Sequence, residues 1–406
     1  MKWVFRVLCA LLCPLCAAVF VGVGAVAQTL PATFYVDEGD TLSLPTALCR
    51  VQASGAWQTQ ATAEGEYDAR VMLFGVIPVQ AVNVQVAPTR DVAVCGVPFG
   101  IKMFTEGVLV VGISDVDTRH GAKSPAREAG LRVGDSVLSV DGEAVSSTEQ
   151  VASLIGASGG RTLTLRVRRQ QTEFDVKLTP VASVTEQTLK AGMWIRDSSA
   201  GIGTLTFYDM QSGVFAGLGH PVNDVDTGQS VPISTGEIVP AAVFGVTKGQ
   251  VGSPGELLGR FCDGSWGVLT KNDETGLYGM LGEQPPAFAT LPIAYKQEVV
   301  EGEATLITTV NGDRPLAYRV MIEEVDYRDG NPTQNMVIRI TDEALLAETG
   351  GVVCGMSGSP IVQNGKLVGA VTHVFVGDPT SGYAVFAENM LQTAQTVPPM
   401  QQDAAS

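Results

Sequence analysis

The chain has 406 residues, 45% of them hydrophobic, with 46 glycines, 21 prolines and a formal net charge of -16. Single cores stop growing at about 250–300 residues, so a chain of this length has room for two or three. The acidic balance repels phosphate, which removes the main attraction to nucleic acid or anionic lipid, and it reads as solubility before function.

Residues 1–27, "MKWVFRVLCALLCPLCAAVFVGVGAVA", place Lys2 and Arg6 ahead of an uncharged apolar run over 7–27. Such a run is long enough for a hydrocarbon layer of ~30 Å, and the basic flank predicts that the bulk of the chain lies outside. Ala25-Val26-Ala27 before Gln28 has the form of a signal-peptidase site, so a cleaved signal peptide and a membrane anchor are both expected possibilities. No cysteine in the run follows the small residue that a lipidation box needs.

Residues 28–96 read as a linker with N-terminal strands, the clearest at 71–88, "VMLFGVIPVQAVNVQVAP", broken near Pro78. Over 97–183 the pattern tightens. "GIKMFTEGVLVVGISDV" reads as strand, turn, strand; Ser124-Pro125 opens a short helix that Gly130 ends; Gly134-Asp135 turns; Asp141-Gly142 marks a hairpin; "TEQVASLIGAS" has helical spacing; and "RTLTLRVRRQQTEFDVKLTP" alternates as two strands. This order, and "SPAREAGLRVGDSVLSVDGEAV" above all, resembles a PDZ domain. The resemblance implies that a peptide adds as a strand to the sheet edge, its carboxylate held by a loop that falls at Glu106, Gly107, Val108 and Leu109.

Residues 184–395 are short apolar strands and turns at close intervals, which predicts a barrel or a pair of barrels; the final 396–406 carry no periodicity and are expected to fray. The overall expectation is a mainly β chain.

The chemistry centres on "CGMSGSPIVQNGKLVGAVTH", 354–373. A serine hydroxyl is a poor nucleophile until an imidazole takes its proton, and the oxyanion that forms needs N–H donors. Glycines allow the tight turn that brings such donors close, and here the N–H groups of Gly355 and Ser357 are the expected oxyanion hole. Asn364-Gly365 turns the hairpin that follows. The stretch resembles the nucleophile loop of chymotrypsin-like peptidases, which favours Ser357 over its rival Ser359. Three histidines compete for the base. His120 lies in the PDZ-like loop and His373 inside an apolar strand, which leaves His220 in "GLGHPV"; Pro221 after it fixes φ and either stiffens or displaces the turn. Spacing does not choose an acid among Asp224, Asp226, Asp263, Asp313, Asp326 and Asp342. Cys49, Cys95, Cys262 and Cys354 show no C-x-x-C pattern, so buried free thiols are expected rather than a zinc site or a disulfide framework, and no metal or cofactor is expected.

"LFGVIPVQAVNVQV", "PFGIKMFTEGVLVVGISDV", "GLGHPVNDVDTG", "KGQVGSPGEL" and "ITDEALLAETGGVVCGMSGSPIVQNGKLVGAVTHVFVGDPTSGYAVF" together resemble the stage IV sporulation protein B (SpoIVB) peptidase family. That resemblance implies an N-terminal membrane segment, a PDZ domain and then a chymotrypsin-like double β-barrel, with a triad falling on His220, Asp342 and Ser357. It also implies export across the cytoplasmic membrane into the space between forespore and mother cell, self-cleavage, and a protein substrate that restrains an intramembrane metalloprotease. Two other readings are weighed with it: a catalytically silent PDZ scaffold at the membrane, and a quality-control PDZ serine protease.

Overall fold

The computed structural model describes residues 65–398 other than 225 and 329, together with 3, 13, 14, 16, 17, 19–24, 26, 27, 30–37, 42, 44 and 48–53. Of the expected export segment 1–27, residues 3, 13, 14, 16, 17, 19–24, 26 and 27 are described, and among the described residues no helix is long and apolar enough to cross a membrane.

Strands dominate, from four to 16 residues long in the barrels. In Met336–Ile340 the side chains of Met336, Ile338 and Ile340 are buried while those between are half-buried, the two-residue period that turns one face to a core. Twelve such strands close two barrels. The first barrel uses β1 (Pro98–Ile113), β2 (Met193–Tyr208), β3 (Val214–Gly217), β4 (Ile233–Thr247), β5 (Gly267–Asp273) and β6 (Gly276–Leu281). The second uses β7 (Gly302–Thr308), β8 (Leu316–Val325), β9 (Met336–Ile340), β10 (Pro360–Gln363), β11 (Lys366–Phe375) and β12 (Asp378–Phe386). In each, antiparallel pairing runs through the first, second, third, sixth, fifth and fourth strand and back to the first. The two barrels therefore share one Greek-key order, although no sequence repeat announces it.

Phe99, Ile101, Met103, Leu205, Phe215 and Ile238 fill the first barrel; Leu306, Val320, Ile338, Ile340, Ile361 and Val371 fill the second. A third apolar cluster, including Val94, Phe207, Tyr278, Ile307, Leu367 and Met390, lies between them and fixes their junction.

A PDZ-type unit is spliced into the first barrel between β1 and β2. Both strands are 16 residues long. Their barrel halves pair over 98–104 and 198–204, and their far halves continue as a ribbon, Arg196 opposite Leu109 through Met193 opposite Ile113. Onto that ribbon Ser136–Val140 adds, then Leu163–Arg169 and Thr172–Leu178. Helices α1 (Pro125–Glu128) and α2 (Thr148–Ala157) complete the unit. Ser147 caps α2 by accepting the Gln150 N–H while the Gln150 side chain returns to the Ser147 backbone, the two-way cap that its sequence specifies. Asp141-Gly142 and Asn364-Gly365 both take positive φ, as two-residue hairpin turns require.

Upstream, Thr33–Val36, Ile77–Val86, Gly65–Leu73 and Cys49–Ala53 make a four-stranded sheet in that spatial order. Tyr35 of this sheet stacks on Tyr295 with ring centroids 5.5 Å apart. Helix α3 (Glu343–Thr349) leads into the glycine-rich loop, and α4 (Ala387–Ala394) packs its Ala387, Met390 and Ala394 into the cluster between the barrels.

Candidate active site at the barrel junction

α3 begins at Asp342, whose carboxylate accepts the N–H groups of Ala344 and Leu345, and it stops at Gly350, whose φ of 73 is the left-handed conformation that ends helices. The chain then enters the loop that carries Ser357. Gly358 has φ 92, and a Cβ there would lie 2.1 Å from the Thr204 carbonyl oxygen and 2.5 Å from the Leu218 nitrogen, so only glycine lets this loop close on β2 and β3. Thr204 holds it from the other side: its N–H donates to the Ser357 carbonyl at 3.0 Å and its hydroxyl to the Gly355 carbonyl at 2.8 Å. Thr206 donates to the Gly358 carbonyl at 2.7 Å. The loop that carries Ser357, in the second barrel, is thus bolted to β2 of the first.

Of the N–H groups over 355–359, those of Met356, Gly358 and Ser359 donate within the protein. Among the described residues the N–H groups of Gly355 and Ser357 have no protein acceptor, the pair expected to form an oxyanion hole. The Ser357 hydroxyl donates to the Thr372 carbonyl at 2.8 Å. Ser359, its rival in the sequence, is fully buried and donates to Thr308 on β7 at 2.8 Å, so it is packed structure.

His220 follows β3 at the mouth of the first barrel, behind Leu218 and Gly219, both at positive φ. A Cβ on Gly219 would meet the Thr372 methyl at 3.1 Å, so the turn lies against the strand that receives the Ser357 hydroxyl. The His220 Nδ1 lies 2.8 Å from the Pro221 carbonyl; since a carbonyl only accepts, Nδ1 carries the proton and Nε2 is left as the basic atom. Its ring packs on that of His373 with centroids 4.7 Å apart. Burial pushes the His220 imidazole down to about 4, His373 adding to the drop and the Pro221 carbonyl opposing it; burial lowers His373 as well.

The structure brings His220, Ser357 and Gly355 to one junction. It adds His373, which the sequence had placed as a packed strand residue; an isolated histidine in "LVGAVTHVFV" carries no signal that its ring meets another. Asp342 is not brought in. In place of the expected contact with His220, its carboxylate caps α3 and accepts the Arg319 N–H at 3.3 Å, with the guanidinium 3.7 Å away. Asp226, another of the acids, pairs with Arg196 at 2.7 Å.

The expected peptide-binding loop is corrected. Val108 and Leu109 pair with Val137 and Ser136 on one side while Leu109 and Val110 pair with Arg196 and Ile195 on the other. Glu106 is bound by Arg168 at 2.7 Å. A strand with both edges occupied has no row of free backbone groups to offer a peptide. The free edge belongs to 193–196, which among the described residues pairs only with β1. Between it and α2 lies a cavity of about 810 Å³, lined by Ala152, Ile155, Met193, Trp194 and Ile195. Trp194 is 67% exposed there. "AGMWIRD" looks like any apolar strand, so its role was hidden until the pairing was known.

Cys49 and Cys95 are buried free thiols as expected, whereas Cys262 and Cys354 are free and exposed. Among the described residues no group of histidine, cysteine and carboxylate side chains is arranged to hold a metal.

Two Greek-key barrels with a serine loop and a histidine at their junction, and a PDZ unit set into the first, define a serine peptidase of the two-barrel class. The chain belongs to the SpoIVB peptidase S55 family, whose model matches residues 187–391, and a PDZ domain model matches 116–169. Among solved structures it is similar to the active form of the Rv3671c protease from M. tuberculosis, at 16% identity over 50% of this chain and 76% of that one, with a TM-score of 0.31. It is also similar to the HtrA-type protease AlgW with decapeptide, at 14% identity over 49% and 53%, TM-score 0.29. The PDZ domain of an SdrC-like protein from Listeria monocytogenes is 21% identical over 22% of this chain and 87% of that one, TM-score 0.19. No curated protein matches the chain.

Proposed function

We propose that this serine peptidase is an endopeptidase of limited, regulatory cleavage, with Ser357 as nucleophile, His220 as base and the N–H groups of Gly355 and Ser357 as oxyanion donors. One observation supports this above the others: the loop that presents Ser357 and the turn that presents His220 interlock through Thr204, Leu218 and Thr372. Attack requires the Ser357 hydroxyl to turn from the Thr372 carbonyl to Nε2 of His220, which takes the proton and later gives it to the leaving amine. In the conformation described the Ser357 hydroxyl donates to the Thr372 carbonyl and the His220 Nδ1 to the Pro221 carbonyl, so the proposed base and nucleophile are not hydrogen-bonded to each other. Asp342, the acid implied by family resemblance, would enter only if the α3 cap opened.

The peptide groove between α2 and 193–196 serves for substrate or self recognition. By family resemblance the setting is endospore formation: export across the cytoplasmic membrane, anchored or released between forespore and mother cell, self-cleavage, and cleavage of the subunit that restrains an intramembrane metalloprotease, so that a mother-cell sigma factor is activated. The test is the fragment pattern of the full chain and of casein, with and without Ser357→Ala. A few discrete cuts that vanish in the variant support regulatory proteolysis; degradation of casein to small peptides would favour quality control, and cuts that persist in Ser357→Ala would overturn the assignment.

A further inference from the structure

Arg196 stands where three parts of the molecule meet. It follows Met193, Trp194 and Ile195, which line the peptide groove, and it lies on β2, whose Thr204 and Thr206 hold the proposed nucleophile loop. Its guanidinium reaches into the loop that follows His220: Nη1 contacts the Asp224 carboxylate at 2.6 Å and Nη2 the Asp226 carboxylate at 2.7 Å. Asp224 is 2% exposed, and it organises that loop. Its Oδ1 accepts the N–H groups of Asp226 and Thr227, its own N–H donates to the Gln229 carbonyl, and its carbonyl accepts the Gly228 N–H. Asn272 on β5 also anchors the loop, exchanging hydrogen bonds with the backbone of Val222 at 2.9 Å in both directions.

A buried carboxylate needs a partner, and a planar fork that grips two carboxylates fixes direction as well as charge. We infer that Arg196 is a positioning residue for the peptidase reaction, clamping the His220 loop to the strand that edges the peptide groove. This rests on His220 being the base. Its consequence is that the base is placed by the same strand that receives a peptide, so an added strand at 193–196 acts on turnover through Arg196 and not only on substrate affinity.

The experiment uses the full chain. The rate at which a fluorophosphonate probe labels Ser357, kcat and KM for fluorescent casein, and the melting temperature are measured for wild type, Arg196→Gln, Arg196→Lys and Asp224→Asn. Misplacing a base by about 1 Å costs on the order of a hundredfold, so Arg196→Gln is expected to slow labelling and kcat by about tenfold or more with KM unchanged. Arg196→Lys, which keeps the charge but not the fork, is expected to recover part of the loss. Asp224→Asn keeps the turn-forming acceptor and weakens only the ion pair, so it reports even if Arg196→Gln fails to fold, and it is expected to slow labelling as well. Wild-type labelling in folded Arg196→Gln or Asp224→Asn, or a loss matched by the unfolded fraction, would overturn the positioning role. Ser357→Ala is carried alongside: labelling of that variant would refute the nucleophile itself and is read separately from the Arg196 result.

Discussion

The protonation of His220 gives the sharpest expectation. Desolvation at the barrel junction, reinforced by the His373 ring, lowers this imidazole from 6.5 to about 4. The proposed base is active when neutral, so activity is expected to be retained above the folded value and lost as pH falls through it. At pH 5.5 an imidazole with the ordinary value is roughly 90% protonated, while one near 4 stays roughly 97% neutral. The labelling rate of Ser357 by a fluorophosphonate, followed from pH 3.5 to 8 in the full chain, is therefore expected to stay nearly flat down to about pH 5 and then fall with a midpoint near 4. Replacing His373 with alanine removes a like-charge neighbour and part of the cover, and should move the midpoint upward. A wild-type midpoint of 6.5 to 7 would refute the reasoning, because it would mean a carboxylate beside the imidazole and a conformation with the triad assembled.

Other expectations follow from single contacts. Gly358→Ala forces a Cβ to 2.1 Å from the Thr204 carbonyl at a φ of 92, and should cost about 3 kcal/mol or more, seen as a lowered melting temperature with loss of labelling. Asp342→Ala removes the α3 cap and should destabilise by about 1 kcal/mol in urea titration. Ser359→Ala loses the buried bond to Thr308, about 1 kcal/mol, yet should still be labelled at Ser357. Ala152→Arg fills the groove beside Trp194 and should abolish peptide pull-down while leaving the probe reaction intact.

The sequence made legible whatever is local. Asn364-Gly365 and Asp141-Gly142 specify turns by their tolerance of positive φ, Ser147 and Gln150 specify a helix start, and "GMSGSP" specifies a loop able to present N–H groups. Everything that depends on which strand lies beside which stayed hidden. Both edges of Leu109 are filled by strands 27 and 87 residues away along the chain, Ser136 and Arg196, and nothing in "TEGVLVV" reports that. The same blindness put the expected peptide edge on a strand paired on both sides and concealed the splice of the PDZ unit into the β1–β2 hairpin. The contacts of His373 and Arg196 were missed for one reason: each meets a partner brought near only by closure of the barrels, His220 in one case and Asp224 in the other. Asp342 shows the reverse case, a residue named by resemblance whose geometry assigns it to a helix cap.

The most direct measurement is mass-spectrometric mapping of the fluorophosphonate adduct on the full chain, wild type beside His220→Ala and Ser357→Ala. A hydroxyl activated by the neighbouring imidazole should carry the adduct at Ser357 in wild type, at a rate cut by about a thousandfold or more in His220→Ala, with no adduct in Ser357→Ala. An adduct on any other serine, or one that forms on Ser357 equally fast without His220, would contradict a peptidase built at this junction.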